Sequence, residues 1–216
     1  MYKYGVFQGG GVKGIALVGA LQVAENRGVS LKGVGGASAG AIVAALYAAG
    51  YTASEMRLIL EGVQFDYLLD RASLARLALA KRLGLYRGKL FQDWIHKLLA
   101  KKGVRFFKDC PKQLRIVATN LTERTLVVLD AGSHPNLEVA EAIRMSMSIP
   151  FVFEPVQLGR NLMVDGGVLS NFPLSLFDGN ETLGFRLHSR SASLPFAPEG
   201  YREYLVAIMG AMLDGR

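Results

Sequence analysis

One cysteine in 216 residues, Cys110, excludes an intramolecular disulfide framework and suits a reducing compartment. It precedes Pro111 without a glycine turn around it and reads as a half-buried structural thiol, not a nucleophile. The opening residues Met1-Tyr2-Lys3-Tyr4-Gly5 run straight into a strand-like stretch and lack the apolar core of an export signal. An uncharged window from Gly33 to Tyr51 approaches the length of a membrane span, but it is filled with Gly and Ala and contains a sharp turn, which excludes a spanning helix. The location these absences predict is cytoplasmic, at most peripheral to a membrane. Asp and Glu nowhere cluster in a loop that suggests a calcium site, and no cofactor is expected.

What is present suffices for one large core: half the residues are hydrophobic, and the length fits one domain over 1–216. The formal net charge of +7 favours anionic partners, and nucleic acid or an anionic lipid surface would satisfy it equally.

The chain begins with two β-loop-α units. The strand Lys3 to Gln8 passes through Gly9-Gly10-Gly11-Val12-Lys13-Gly14 into a helix ending at Gly28. That loop matches G-x-G-x-x-G, so a nucleotide-binding module is one reading. Against it, the second strand should close on an acid for the ribose, yet no Asp or Glu stands between Glu25 and Glu55. The second unit runs from Leu31 through Gly35-Gly36-Ala37-Ser38-Ala39-Gly40 into a helix to Ala49. A serine between Gly36 and Gly40, at a helix N-terminus, has the form of a nucleophile elbow, G-x-S-x-G, with Ala39 N–H and the helix dipole facing any oxyanion. The plainer reading makes Ser38 an N-cap. Adjacent parallel strands would bring both loops to one edge of the sheet, with the N–H groups around Gly10 and Gly11 facing Ser38.

Downstream, Thr52 to Glu55 reads as a capping box for a helix ended by Gly62. Phe65 to Leu85 is basic and amphipathic, either a surface helix or one that docks on anionic lipid. A helix over 90–102, strands over 114–119 and 125–129, a helix over 137–147 and strands over 151–157 and 162–164 follow, with a further strand over 182–187 and a final helix over 198–213. Asp165 closes a strand and is followed by Gly166 and Gly167, which makes it the best candidate for a general base; an Asx-turn is the alternative use of its carboxylate. His188, after the last strand, would complete a Ser38-Asp165-His188 triad of the α/β-hydrolase kind, whereas His96 falls on a helix and His134 in a polar turn.

Four motifs stand in order: Gly9 to Gly14, Gly36-Ala37-Ser38-Ala39-Gly40, Ser146-Met147-Ser148-Ile149-Pro150, and Asp165-Gly166-Gly167 with Asn171-Phe172-Pro173 after it. Together they resemble the patatin-like phospholipase family, over roughly residues 4–187. The resemblance implies a three-layer α/β/α fold around a central, mostly parallel sheet and a serine hydrolase of the phospholipase A, lysophospholipase or lipid acyl hydrolase kind. It implies Ser38 as nucleophile, Asp165 as base, and an oxyanion hole at Gly9, Gly10 and Gly11, supported by Lys13, Gly14, Gly36, Gly40, Gly166 and Gly167. Phospholipid or another acyl lipid would be the substrate, with peripheral contact to anionic membrane, and neither metal nor nucleic acid is expected.

Overall fold

The structure, a computed structural model, describes residues 2–64, 68–70 and 82–188, together with 200, 204, 207, 208, 210 and 211. Most of the basic stretch 65–85 and of the expected helix 198–213 lies outside these residues.

Three parallel pairings form the centre of the sheet: β1 (Tyr4–Phe7) lies between β2 (Gly33–Gly36) and β9 (Thr182–Phe185), and β2 continues to β4 (Gln113–Asn120). Alternation along β1 sends its side chains to opposite faces. Phe7 stacks on Phe185 at 4.4 Å between ring centroids, while Tyr4 stacks on Phe177 at 4.6 Å on the other side. Antiparallel strands complete the sheet: β5 (Thr125–Leu129) and β8 (Asn161–Asp165) pair with β4, and β7 (Val156–Leu158) pairs with β8.

The register around β4 positions the site. Ile116 pairs with both Gly36 and Leu129, and Ala118 pairs with both Val127 and Asp165. A strand residue has one neighbour on each side, so β5 occupies one edge of β4 while β2 and β8 share the other. They reach it from opposite directions. The carboxyl ends of β2 and β8 therefore run toward each other beside Val117, and this brings Ser38 and Asp165, far apart in sequence, to one place.

The main core lies on one face. Helices α1 (Ile15–Asn26), α2 (Ala39–Ala48), α3 (Ala53–Glu61), α4 (Lys89–Lys101) and α5 (Val139–Ser146) bury Leu17, Leu21, Leu46, Met56, Ile95, Leu99 and Ile143 there against Val34, Leu114 and Ile116. The small residues of α2 let it lie close on the sheet, and all of its residues but Ile42 are buried. Thr52 and Glu55 form the expected capping box at the start of α3. On the opposite face a smaller cluster of Val6, Ala37, Val117 and Leu176 is closed, among the described residues, by the turns after β8 with Phe172 and Phe177.

Two boundaries differ from expectation. Residues 151–157 form two strands, β6 (Phe151–Phe153) and β7, because the chain changes partner at Glu154-Pro155: β6 pairs with β3 (Gly84–Tyr86) and β7 with β8. Proline supplies no N–H for a continuing ladder. The far end of the basic stretch is a strand as well. Leu83 has φ 63, a left-handed conformation that breaks a helix, and Gly84 then joins β6 because a Cβ there would lie 2.3 Å from the Glu154 nitrogen.

Candidate active site

The turn between β2 and α2 is a strained elbow. Ser38 has φ 51 and ψ −125, is fully buried, and makes no capping bond with its hydroxyl, so it does not serve as an ordinary N-cap. The conformation is enforced by close approach of backbone to backbone. A Cβ on Gly36 would stand 2.6 Å from the Gly40 carbonyl carbon, and one on Gly40 would stand 2.3 Å from the Phe7 oxygen. No side chain fits between these main-chain atoms.

Asp165 arrives from β8 with 2% of its surface exposed. Its two oxygens have different surroundings. Oδ1 accepts from Gly167 N–H at 2.7 Å, so the Asx-turn considered from sequence does form. Oδ2 is buried and completes no hydrogen bond among the described residues, and the same holds for Ser38 Oγ. Burial pushes the Asp165 carboxyl up to about 7, with the Gly167 N–H and then the Ser38 hydroxyl pulling it the other way. The register of β2 and β8 along β4 brings the two side chains together, though no well-formed hydrogen bond joins them. The turn is held by Gly166, where a Cβ would lie 2.4 Å from the Val117 carbonyl oxygen. A Cβ on Gly167 would lie 2.9 Å from Asn171 Oδ1 and 3.0 Å from Asp165 Oδ1, a looser fit against side chains.

The glycine loop crosses this pair. A Cβ on Gly9 would lie 3.2 Å from Ser38 Cβ, and one on Gly14 would lie 2.5 Å from Ala39 Cβ, so the loop packs directly over the elbow. Its N–H groups are not equivalent. Gly9 N–H is committed to the Asn171 carbonyl at 2.8 Å, and Asn171 Nδ2 donates back to the Gly9 carbonyl at 3.3 Å. The N–H groups of Gly10, Gly11 and Ala39 make no hydrogen bond among the described residues. Lys13 lies exposed in the turn that leads into α1.

Sequence reasoning placed Ser146 and Ser148 in a motif without giving them work. Both are fully buried: Ser146 Oγ accepts from Ser38 N–H at 2.9 Å, and the Ser148 carbonyl accepts from Asp165 N–H at 3.0 Å. Arg144 was missed altogether. It is 4% exposed, and burial lowers its pKa to about 10, countered by Asp70 and Glu154. Its signal was local: an arginine one turn before Ser148 on an otherwise apolar helix end. Asp70 was missed too. It caps α4 from a distance, accepting from Gly88 N–H at 2.5 Å and Lys89 N–H at 2.9 Å.

The histidines stand apart from this cluster. His188 is exposed beyond β9, His96 faces Glu138 at 3.5 Å, and His134 Nδ1 lies 2.8 Å from Ser133 Oγ. The hydrogen bonds described for Asp165 involve none of them. Cys110 is half-buried, and burial pushes its thiol up to about 12. Among the described residues no group of three or more His, Cys, Asp or Glu gathers to hold a metal ion, and no helix is long and apolar enough to cross a membrane.

Comparison with known proteins gives a consistent result. A family model described as patatin-like phospholipase matches residues 5–178. An uncharacterized protein, YqhO, of Bacillus subtilis is 48% identical over 195 residues, covering 82% of this chain and 67% of that protein. A probable lipid hydrolase, 463L, of Invertebrate iridescent virus 6 is 28% identical over 185 residues, covering 81% of this chain and 63% of the viral protein. The chain thus spans about two thirds of the length of these relatives. Among solved structures, VipD from Legionella pneumophila superposes with a TM-score of 0.62 at 21% identity, over 85% of this chain and 49% of VipD, a likeness of fold.

Proposed function

The chain belongs to the patatin-like phospholipase family, and on that premise we propose that it is a lipid acyl hydrolase cleaving fatty-acyl esters of phospholipids, with Ser38 as nucleophile and Asp165 as base. One observation carries the reading. A buried serine on a strained elbow stands beside a buried carboxyl whose second oxygen has no other partner, an arrangement that costs stability and suits a functional site. The name of the viral relative, a probable lipid hydrolase, supports the substrate class.

The chemistry follows from the geometry. Asp165 Oδ2 takes the Ser38 hydroxyl proton as Oγ attacks the acyl carbonyl. The carbonyl oxygen gains the negative charge, and the N–H groups of Gly10, Gly11 and Ala39 are the donors open to it. Gly9 contributes a wall in place of a donor, since its N–H is already spent on Asn171. The intermediate collapses, the leaving alkoxide receives the proton from Asp165, and the acyl group stays on Ser38. Water, deprotonated by the same carboxylate, then releases the fatty acid and restores the hydroxyl. A carboxylate can play this part without an imidazole because burial has moved its pKa to about 7. Residues 1–216 act in this reading as one catalytic domain, and the +7 charge supports encounter with an anionic lipid surface.

Fatty-acid release from vesicles of phosphatidylglycerol or phosphatidylcholine, measured for wild type and Ser38→Ala, tests the proposal. Wild type should release acid and the variant should not. Equal release by both would remove Ser38 from the mechanism.

A further inference from the structure

One short segment holds the backbones of both Ser38 and Asp165. The Ser38 N–H donates to Ser146 Oγ at 2.9 Å, and two residues on, the Ser148 carbonyl accepts from Asp165 N–H at 3.0 Å. The segment is itself locked. Ser148 Oγ donates to the Arg144 carbonyl at 2.8 Å and accepts from Arg144 Nη1 at 2.5 Å. Nε donates to the Arg87 carbonyl at 3.1 Å, and Nη2 donates to the carbonyls of Arg87 and of Glu154, the latter at 2.7 Å. A guanidinium buried this deeply holds its place because each of its three nitrogens donates to oxygen, and it fastens residues 144–148 to the β3–α4 junction and to the end of β6.

The contact at Ser38 differs in kind from a general packing contact. A non-glycine residue at φ 51 persists only where its surroundings over-determine it. The elbow turns the Ser38 N–H away from the bonds of α2, into a site that is fully buried, where an unmet donor carries a large penalty. Ser146 Oγ is the acceptor that meets it, and Ser146 sits two residues from the carbonyl that fixes the base.

We propose that Ser146 is a positioning residue for the nucleophile: by accepting the Ser38 N–H it sets the elbow's conformation and, with Ser148, fixes the separation of Ser38 from Asp165. This rests on the reading of Ser38 and Asp165 as nucleophile and base. Ser146→Ala removes one oxygen and leaves Ser38 free to relax its backbone. Misplacement of reacting groups by about 1 Å is worth roughly 10²-fold in rate, and loss of one buried hydrogen bond about tenfold.

The experiment measures kcat and KM for phospholipid vesicles in wild type and Ser146→Ala, per active site titrated with a fluorophosphonate, and turnover by Ser38→Ala per mole of folded protein, alongside amide hydrogen exchange in wild type. Ser146→Ala should lower kcat by about 10- to 100-fold with KM within about twofold. The acid limb of its pH–kcat profile should stay near pH 7, because the burial of Asp165 is untouched. A kcat per titrated site within about twofold of wild type overturns the proposal, since a purely structural serine would change only the folded fraction. Hydrogen exchange needs no variant. The Ser38 amide should be protected while those of Gly10 and Gly11 exchange rapidly, and a Ser38 amide as fast as theirs overturns the proposal however Ser146→Ala folds. The two readings fail separately: turnover by Ser38→Ala removes the dyad, whereas a dead Ser38→Ala beside a fully active Ser146→Ala removes only the positioning role.

Discussion

Replacing Asp165 by asparagine should stabilise the protein, increasingly so as pH rises above about 4 and fully only at neutral and alkaline pH. An unfolded aspartate titrates near 3.9, whereas burial holds the folded carboxyl at about 7. Below pH 3.9 both states bind the proton and the group contributes nothing to the pH dependence. Between the two values the unfolded chain is ionised and the folded chain is not, so stability falls as pH rises. Above 7 both are ionised and the loss is complete. A shift of about 3 units corresponds to about 4 kcal/mol, and with the side chain 2% exposed there is little solvent screening to reduce it. Asparagine keeps the Oδ1 acceptor for Gly167 N–H and carries no charge at any pH. Urea unfolding of wild type and Asp165→Asn from pH 4 to pH 9 isolates the term, because every other titrating group is common to both proteins and drops out of the difference. The variant's advantage should grow from pH 4 to about pH 7 and then level off at about 4 kcal/mol. A difference that stays flat across that range would refute a desolvated carboxyl at this position.

Catalysis should show the opposite pH dependence to the Asp165 contribution to stability, since only ionised Asp165 can take a proton: kcat should climb with unit slope to about pH 7 and plateau above it. Asp165→Asn should lose about 10²- to 10⁴-fold in kcat and His188→Ala less than about twofold, and comparable losses would restore the triad. Gly40→Ala should lower stability by about 3 kcal/mol or more, because its Cβ would stand 2.3 Å from the Phe7 oxygen and 2.6 Å from the Gln8 oxygen, main-chain atoms that cannot step aside; a melting temperature within about 2 °C of wild type would contradict this. Cys110 in the native protein should resist iodoacetamide at pH 8, its thiol being held at about 12, and labelling as fast as that of free cysteine would show that it is not buried as described.

The elements legible in the sequence were those whose cause lies within a few residues. Gly9 to Gly14 and Gly35 to Gly40 announce turns because glycine and short side chains leave only a few backbone paths, and Thr52 with Glu55 caps its own helix. Asp165 was legible as the acid that closes a strand. That Ser38 and Asp165 meet was not readable from spacing, since it depends on β2 and β8 sharing one edge of β4, and it entered through a resemblance of motifs. Long-range pairings were the least visible. The break at Glu154-Pro155 follows from β6 pairing with β3, some seventy residues earlier, and the cap of α4 is Asp70, eighteen residues before Gly88. The roles of Arg144 and Ser146 were hidden for the same reason, although Ser146 stood in a motif and Arg144 one turn before Ser148: their partners Arg87 and Ser38 sit on other elements.

The central claim is that Ser38 forms the acyl-enzyme with Asp165 as its base, and trapping the covalent adduct tests it most directly. Wild type and Asp165→Asn are treated with an alkyl fluorophosphonate, and the adducts are located by peptide mass spectrometry while labelling is followed in time. The account predicts one adduct per chain, on Ser38, forming about 10²-fold or more slowly in Asp165→Asn. An adduct on another residue, or equal labelling rates in the two proteins, would contradict it.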